Sequence, residues 1–117
     1  MYARAIEQEL KQCAREYPVV TIVGPRQSGK TTLARMAFAD YAYVNLEQPE
    51  YRRLAQDDPK SFFHQFPAPV IIDEIQNVPQ LLSWVQVAVD EGPGHSGQYI
   101  LTGSQQFDLH AAVSQSL

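Results

Sequence analysis

Eight residues near the start of the chain have the types and spacing of a phosphate-binding loop, Gly-x4-Gly-Lys-Ser/Thr. The two glycines allow backbone angles that a side chain forbids, so that successive N–H groups point inward and bind phosphate oxygens. We expect the Lys30 ammonium to lie between β- and γ-phosphates and the Thr31 hydroxyl to bind Mg²⁺. The residues predicted to bind the nucleotide are Gly24, Pro25, Arg26, Gln27, Ser28, Gly29, Lys30, Thr31 and Thr32.

Two carboxylates at the end of an apolar run, Pro69-Val70-Ile71-Ile72-Asp73-Glu74, form a second candidate for chemistry. Ligands of open α/β sheets bind at the carboxyl ends of the strands, where Asp73 is expected to hold Mg²⁺ through a water. Glu74 is expected to point to the opposite face, or out of the strand end, and to orient and deprotonate a water. A simpler alternative stays open, in which both acids only cap the turn that follows.

A third polar segment, Thr102-Gly103-Ser104, follows an apolar run near the end of the chain. A polar residue at the end of a strand beside the loop strand can contact the γ-phosphate or the attacking water. Ser104 is therefore predicted as a catalytic residue together with Glu74 and Lys30. All three residue types also favour turns, so a strand terminator is the alternative.

The elements that must position these residues alternate between helical and strand patterns. The predicted strands cover residues 18–23, 41–46, 69–74 and 99–102. The predicted helices cover residues 3–16, 31–38 and 50–56, with a further helical turn after Asp58 and a helix that begins at Pro79. Asp108 is expected to cap a last short helix. The alternation predicts an α/β fold with a mostly parallel sheet and helices on both faces.

Composition limits the remaining functions. A chain of 117 residues is expected to form one domain, and its net charge of −4 provides no basic field for nucleic acid. The single cysteine, Cys13, excludes a disulfide framework, and the histidines His64, His95 and His110 lack the spacing of a zinc site. The apolar runs are too short to span a bilayer, so we expect a cytoplasmic protein without a membrane partner.

Three segments carry a resemblance to a known family: residues 24–33, residues 70–76 and residues 100–105. Together they resemble the N-terminal ATPase core of a prokaryotic AAA+ family, and the likeness covers nearly the whole chain. The resemblance implies a P-loop NTPase three-layer sandwich with spatial strand order 5-1-4-3-2, and ATP and Mg²⁺ as cofactors. It also implies that Glu74 is the catalytic glutamate and that residues 102–104 are the sensor.

The chain ends where members of that family usually continue into a fifth strand. By that likeness, the piece expected beyond residue 117 carries the strand beside the first strand, a candidate arginine finger and a C-terminal domain. We therefore expect residues 1–117 to be one partial AAA+-like domain. An open first-strand edge is a site for pairing, so a homo-oligomer or a strand-swapped assembly is a possible partner state.

Three functions follow as hypotheses. The first is Mg²⁺-dependent ATP binding with slow hydrolysis, in which Glu74 activates water. The second is a small-molecule P-loop kinase or a GTPase, although an Asn-Lys-x-Asp guanine signature is absent from the sequence. The third is a non-catalytic fragment that nucleotide stabilises and that assembles with other chains. Nucleic acid would be reached only through partners or through domains outside this sequence.

Overall fold

A computed structural model of the chain describes residues 2–24, 29–91 and 95–104, with side chains from residue 6 onward. The strands are β1 Val19–Val23, β2 Ala42–Asn45, β3 Val70–Asp73 and β4 Tyr99–Gly103. The helices are α1 Tyr2–Glu16, α2 Lys30–Ala37, α3 Pro49–Asp57, α4 Pro59–Gln65 and α5 Leu81–Glu91, and a short 3₁₀ turn covers Ile75–Asn77. The predicted helix at Asp108 lies outside the described residues.

The four strands form one sheet in the order β1-β4-β3-β2, and every neighbouring pair is parallel. This is the predicted order without a fifth strand, so the α/β fold class and the resemblance in topology are confirmed. The register pairs Val23 with Gly103 and Asn45 with Asp73. Because parallel strands point the same way, the residues after β1, β3 and β4 meet at one edge of the sheet.

Apolar residues pack on both faces of the sheet. On one face, helices α3, α4 and α5 cover a cluster that includes Phe62, Ile72 and Leu101, all fully buried. On the other face, α1 and α2 pack on Ile71 and Ile100. Strand β3 is buried along its whole length, which is why its sequence reads as a continuous apolar run up to Asp73.

Two turns refine the predicted boundaries. The Asp58 side chain accepts a hydrogen bond from the Ser61 backbone N–H at 3.2 Å, so Asp58 caps α4 as its position before Pro59 indicated. Helix α5, by contrast, begins at Leu81 and not at Pro79. The backbone N–H of Leu81 donates a hydrogen bond to the carbonyl of Val78 at 3.0 Å. Residues 79 and 80 therefore lie in a tight turn between the buried Val78 and the helix.

Candidate functional site

The carboxyl edge of the sheet brings the ends of β1, β3 and β4 to the start of helix α2. Gly24 follows β1 and donates its backbone N–H to the carbonyl of Gly103 at 3.2 Å. Gly29 caps α2 with φ of 86°, a left-handed conformation that favours glycine. Lys30 and Thr31 then form the first turn of the helix. The four residues between the glycines, Pro25, Arg26, Gln27 and Ser28, lie outside the described part of the chain, and their roles stay predictions.

Asp73 is the centre of this edge. Its side chain is almost fully buried, and it accepts hydrogen bonds from three hydroxyl groups on three different elements. Thr31 on α2 donates to both carboxylate oxygens, at 3.0 Å to Oδ1 and 2.9 Å to Oδ2. Tyr43 on β2 donates to Oδ2 at 2.6 Å, and Thr102 on β4 donates to Oδ1. Both oxygens of the carboxylate are therefore held in place.

Thr102 connects the two acids of the pair. Its hydroxyl donates to Asp73 and accepts the backbone N–H of Glu74 at 2.9 Å. Thr102 is fully buried, so the two hydrogen bonds form in an environment where water does not compete. The end of β4 thus fixes the position of both carboxylates relative to each other.

Glu74 lies just beyond the end of β3, with φ of 58° and ψ of 54°. A non-glycine residue rarely adopts this left-handed conformation, and such outliers cluster at functional sites. The kink turns the side chain toward α2, where Oε2 lies 3.6 Å from the Lys30 ammonium. Oε1 accepts a hydrogen bond from the Gln76 amide at 2.7 Å. One of the two predicted orientations of Glu74, out of the strand end, is the one observed.

Ser104 and Thr32 differ in whether they join the hydrogen-bonded groups around Asp73 and Glu74. Ser104 is buried after β4, and its backbone N–H donates to the Gln76 side-chain oxygen at 3.4 Å. Gln76 therefore joins Ser104 to Glu74. Thr32, predicted to bind nucleotide, is exposed on the first turn of α2. The sequence prediction brought Lys30, Thr31, Asp73, Glu74 and Ser104 to one edge, and the structure places all five there.

The donor set at this edge fits a hard divalent cation. Mg²⁺ prefers oxygen ligands, and Asp73 and Thr31 provide a carboxylate and a hydroxyl side by side. The Thr31 proton points to Asp73, which leaves lone pairs on its oxygen for a cation. Within the described residues, no group of three or more His, Cys, Asp or Glu side chains could hold a metal ion. A cation here would need further oxygens from water or from a bound phosphate.

Comparison with known proteins identifies the family of the chain. The sequence model of a family described as an AAA domain matches residues 16–117. The chain belongs to this AAA domain family. It therefore carries a nucleotide-binding AAA-like module, and the resemblance stated from the three sequence segments is confirmed.

Two relatives of this AAA domain come from mycobacteria. They are the uncharacterized protein Mb2031c of Mycobacterium bovis and the uncharacterized protein Rv2008c of Mycobacterium tuberculosis. Each is 35% identical to the chain over 111 residues, and the match covers 92% of this chain and 24% of the relative. The chain thus spans about a quarter of the length of these relatives. In the part of the chain that the structure describes, no helix is long and apolar enough to cross a membrane.

Two residues of the AAA domain site were missed as contributors from sequence. The sequence pattern places Tyr43 only in a strand and Gln76 only in a segment of the family likeness. Burial raises the pKa of the Tyr43 phenol well above its usual value, and the hydrogen bond to Asp73 raises it further. Tyr43 therefore stays protonated at neutral pH and acts as a donor. The resemblance implies that strand 2 lies beside strand 3, but Tyr43 lies in the first half of its strand and pairs with Ile71, so no sequence signal assigns its hydroxyl to Asp73.

Proposed function

We propose that this AAA domain binds ATP with Mg²⁺ at the carboxyl edge of the sheet and hydrolyses it slowly. The observation that carries the proposal is the hydrogen bond from Thr31 to the buried Asp73, 2.9 Å to Oδ2. It joins the first turn of α2, after the loop-like sequence, to the acid that ends β3. These are the two protein groups that a phosphate-bound Mg²⁺ needs in this class of site.

Phosphate binding is assigned to the loop glycines, Lys30 and the N-terminus of α2. Lys30 is 6% exposed, so its ammonium would act on a phosphate with little screening by water. The backbone N–H groups at the start of α2 point the same way, and the helix dipole favours an anion there. Residues 25–28, which the sequence motif assigns to the phosphate-binding loop, are proposed to complete the phosphate cradle with their backbone.

Thr31 and Asp73 would hold Mg²⁺, with Asp73 acting through a water. A bound Mg²⁺ neutralises charge on the phosphate oxygens and orients them. The chain contributes the fixed geometry, because Asp73 cannot turn without losing hydrogen bonds from Thr31, Tyr43 or Thr102. A site built in this way needs little rearrangement when the charge on the phosphate develops.

Glu74 is proposed as the general base that takes a proton from the attacking water. Gln76 holds one carboxylate oxygen at 2.7 Å, and Lys30 lies 3.6 Å from the other. A phosphate group near Lys30 would compete for that ammonium and release Oε2 toward the water. Ser104 is proposed to act beside Glu74 as the polar residue at the end of β4, where its backbone bonds to Gln76.

Slow turnover is expected from the chain by itself. An arginine that reaches the transferred phosphate is worth about 10³–10⁵ in rate in related nucleotide hydrolases. We assign no described arginine to that role, because Arg35, the one that packs on a residue of the site, lies over the Tyr43 ring. The arginine is proposed to come from another segment or from a second chain that associates with this one.

Single-turnover hydrolysis of ATP tests the catalytic assignment. We expect Glu74→Gln to bind ATP as the wild type does and to lose at least about 100-fold in the hydrolysis rate, a typical share for a general base. Glu9→Gln on the exposed face of α1 is the control, since it removes the same charge far from the site. Equal rates for wild type and Glu74→Gln would contradict the assignment and favour a non-catalytic nucleotide-binding module.

A further inference from the structure

Tyr43 reaches the candidate metal site from a position that its strand register does not suggest. It pairs with Ile71, two residues before Asp73 on the neighbouring strand. Its ring packs against the Ile71 side of the sheet, and its hydroxyl extends along β3 to Asp73 Oδ2 at 2.6 Å. The Tyr43 hydroxyl on β2 therefore donates its hydrogen bond across the strand pair to Asp73 at the end of β3.

The ring of Tyr43 is itself held in place by α2. The Arg35 guanidinium carbon lies 4.4 Å from the ring centroid, in the geometry of a cation–π contact. Arg35 is one turn after Thr31 on the same helix. Helix α2 therefore provides the Thr31 hydroxyl to Asp73 and also holds the ring of Tyr43, whose hydroxyl donates to the same carboxylate.

The three hydroxyl groups divide the two oxygens of Asp73 between them. Oδ1 accepts from Thr31 and Thr102, whereas Oδ2 accepts from Thr31 and Tyr43. Without the Tyr43 hydroxyl, Oδ2 would keep, among the described residues, only the hydrogen bond from Thr31. That residue is also the proposed ligand of the cation, so its hydroxyl could not orient the carboxylate independently.

We propose that Tyr43 is a positioning residue of the metal site, which orients Asp73 through its hydroxyl and thereby strengthens the binding of Mg²⁺ with nucleotide. The inference rests on the proposed function, because it assigns Asp73 to the cation. Groups outside the direct ligands of a metal typically change its affinity by about 10–100-fold when removed, and Tyr43 would act in this way through Asp73, which is proposed to hold the cation through a water. A purely structural role predicts a different result, namely a loss of stability without a change in the Mg²⁺ requirement.

The test is a titration of Mg²⁺ at a fixed concentration of a fluorescent ATP analogue, with wild type and Tyr43→Phe. The substitution keeps the ring and its contact with Arg35 and removes only the hydroxyl. We expect the half-saturating Mg²⁺ concentration to rise about tenfold, while binding of the analogue in the presence of a chelator stays unchanged.

Tyr41→Phe is the matched control. Tyr41 also donates one hydrogen bond, to the Gly97 carbonyl at 2.7 Å, at the opposite end of the sheet. We expect it to lower the melting temperature and to leave the Mg²⁺ titration as in wild type.

The outcomes separate the two proposals. A Tyr43→Phe titration that coincides with wild type, or a loss of binding that is equal with and without Mg²⁺, overturns the role of Tyr43 and leaves the proposed function standing. A wild type that binds the analogue with no dependence on Mg²⁺ overturns both. A shift in Tyr43→Phe and none in Tyr41→Phe supports the inference.

Discussion

Tyr41 and Tyr43 are two residues apart, yet they donate their hydroxyl hydrogen bonds at opposite ends of the sheet. Tyr41, before β2, donates to the backbone carbonyl of Gly97 at 2.7 Å. Tyr43, within β2, donates to the buried Asp73 at 2.6 Å. The two bonds are alike in donor and length, and they differ in the acceptor, which is main chain at one end and a carboxylate at the other.

The surroundings of the two acceptors differ in the same way. At the amino end, the Gly97 backbone N–H also donates to the Tyr17 carbonyl at 2.8 Å, so the acceptor of the Tyr41 hydroxyl lies among backbone groups that bond to one another. At the carboxyl end, Lys30, Asp73 and Glu74 are buried together. Burying charges costs stability. The amino end of the sheet thus carries backbone hydrogen bonds that support the fold, whereas the carboxyl end carries the buried charges that the proposed nucleotide site requires.

The largest effect on stability is expected at the amino end. In Gly97→Ala, the new Cβ would lie 2.9 Å from the Ala14 carbonyl oxygen and 2.9 Å from the Tyr41 hydroxyl, at a φ of +65°. Strain and overpacking together predict a loss of about 2–4 kcal/mol in the free energy of unfolding. Urea unfolding monitored by circular dichroism measures it.

Gly29→Ala is the partner experiment at the carboxyl end. Its φ is +86°, but a Cβ would meet nothing within 4 Å among the described atoms. Only the conformational strain applies, so we expect a loss of about 1–2 kcal/mol together with weaker nucleotide binding. Equal losses in stability for the two variants would contradict the difference between the two ends.

A middle-sized effect is expected from Thr102→Val, which removes a hydroxyl with two partners and nearly keeps the shape. Asp73 and the Glu74 backbone N–H would lose the buried group that joins them. Leaving such groups unsatisfied predicts a loss of about 1–3 kcal/mol in the free energy of unfolding. Thermal unfolding of the ligand-free chain measures it.

Thr21→Val on β1 is the matched comparison. The Thr21 hydroxyl is buried and has no hydrogen-bond partner among the described residues. Replacing it with a methyl group removes an uncompensated polar atom, so the stability should stay the same or rise. If Thr21→Val lowers the free energy of unfolding as much as Thr102→Val does, the hydrogen bonds around Asp73 do not explain the contribution of Thr102 to stability.

The smallest expected effect is on the loss of stability at alkaline pH, to which the two tyrosines contribute. Burial raises the pKa of Tyr41 above 10.0, and burial and Asp73 together raise that of Tyr43 much further. A raised folded-state pKa contributes stability that is complete below about pH 10 and is lost as pH rises toward the folded-state value. Tyr43→Phe should therefore flatten the decline in stability above about pH 10 more than Tyr41→Phe does. If the stability of Tyr43→Phe declines with pH as steeply as that of wild type, the raised pKa of Tyr43 is contradicted.

Much of the site could be predicted because its residues follow strands of clear pattern. Asp73 ends an apolar run, and in a parallel sheet that position must lie at the ligand-binding edge. Lys30 and Thr31 follow from the spacing of the loop motif. The sequence allows two directions for the Glu74 side chain, because periodicity describes a strand and the left-handed φ of 58° falls just after it.

Tyr43 and Gln76 could not be assigned from the sequence for a different reason. A tyrosine in a strand has the pattern of a packed side chain, and its reach to Asp73 appears only once β2 lies beside β3 in the observed register. Gln76 acts through a 3₁₀ turn that folds it back onto Glu74, and no periodic pattern marks a turn of three residues. Both contacts depend on tertiary geometry.

The most direct test of the account is a binding titration of ATP in the presence of Mg²⁺. Wild type, Lys30→Ala and Lys11→Ala are compared, where Lys11 pairs with Glu7 on the surface of α1 and serves as the control. We expect saturable binding by wild type and Lys11→Ala, competition by ATP in preference to GTP, and loss of binding in Lys30→Ala. If folded Lys30→Ala binds ATP as tightly as wild type, the proposal that this edge of the sheet is the nucleotide site is contradicted.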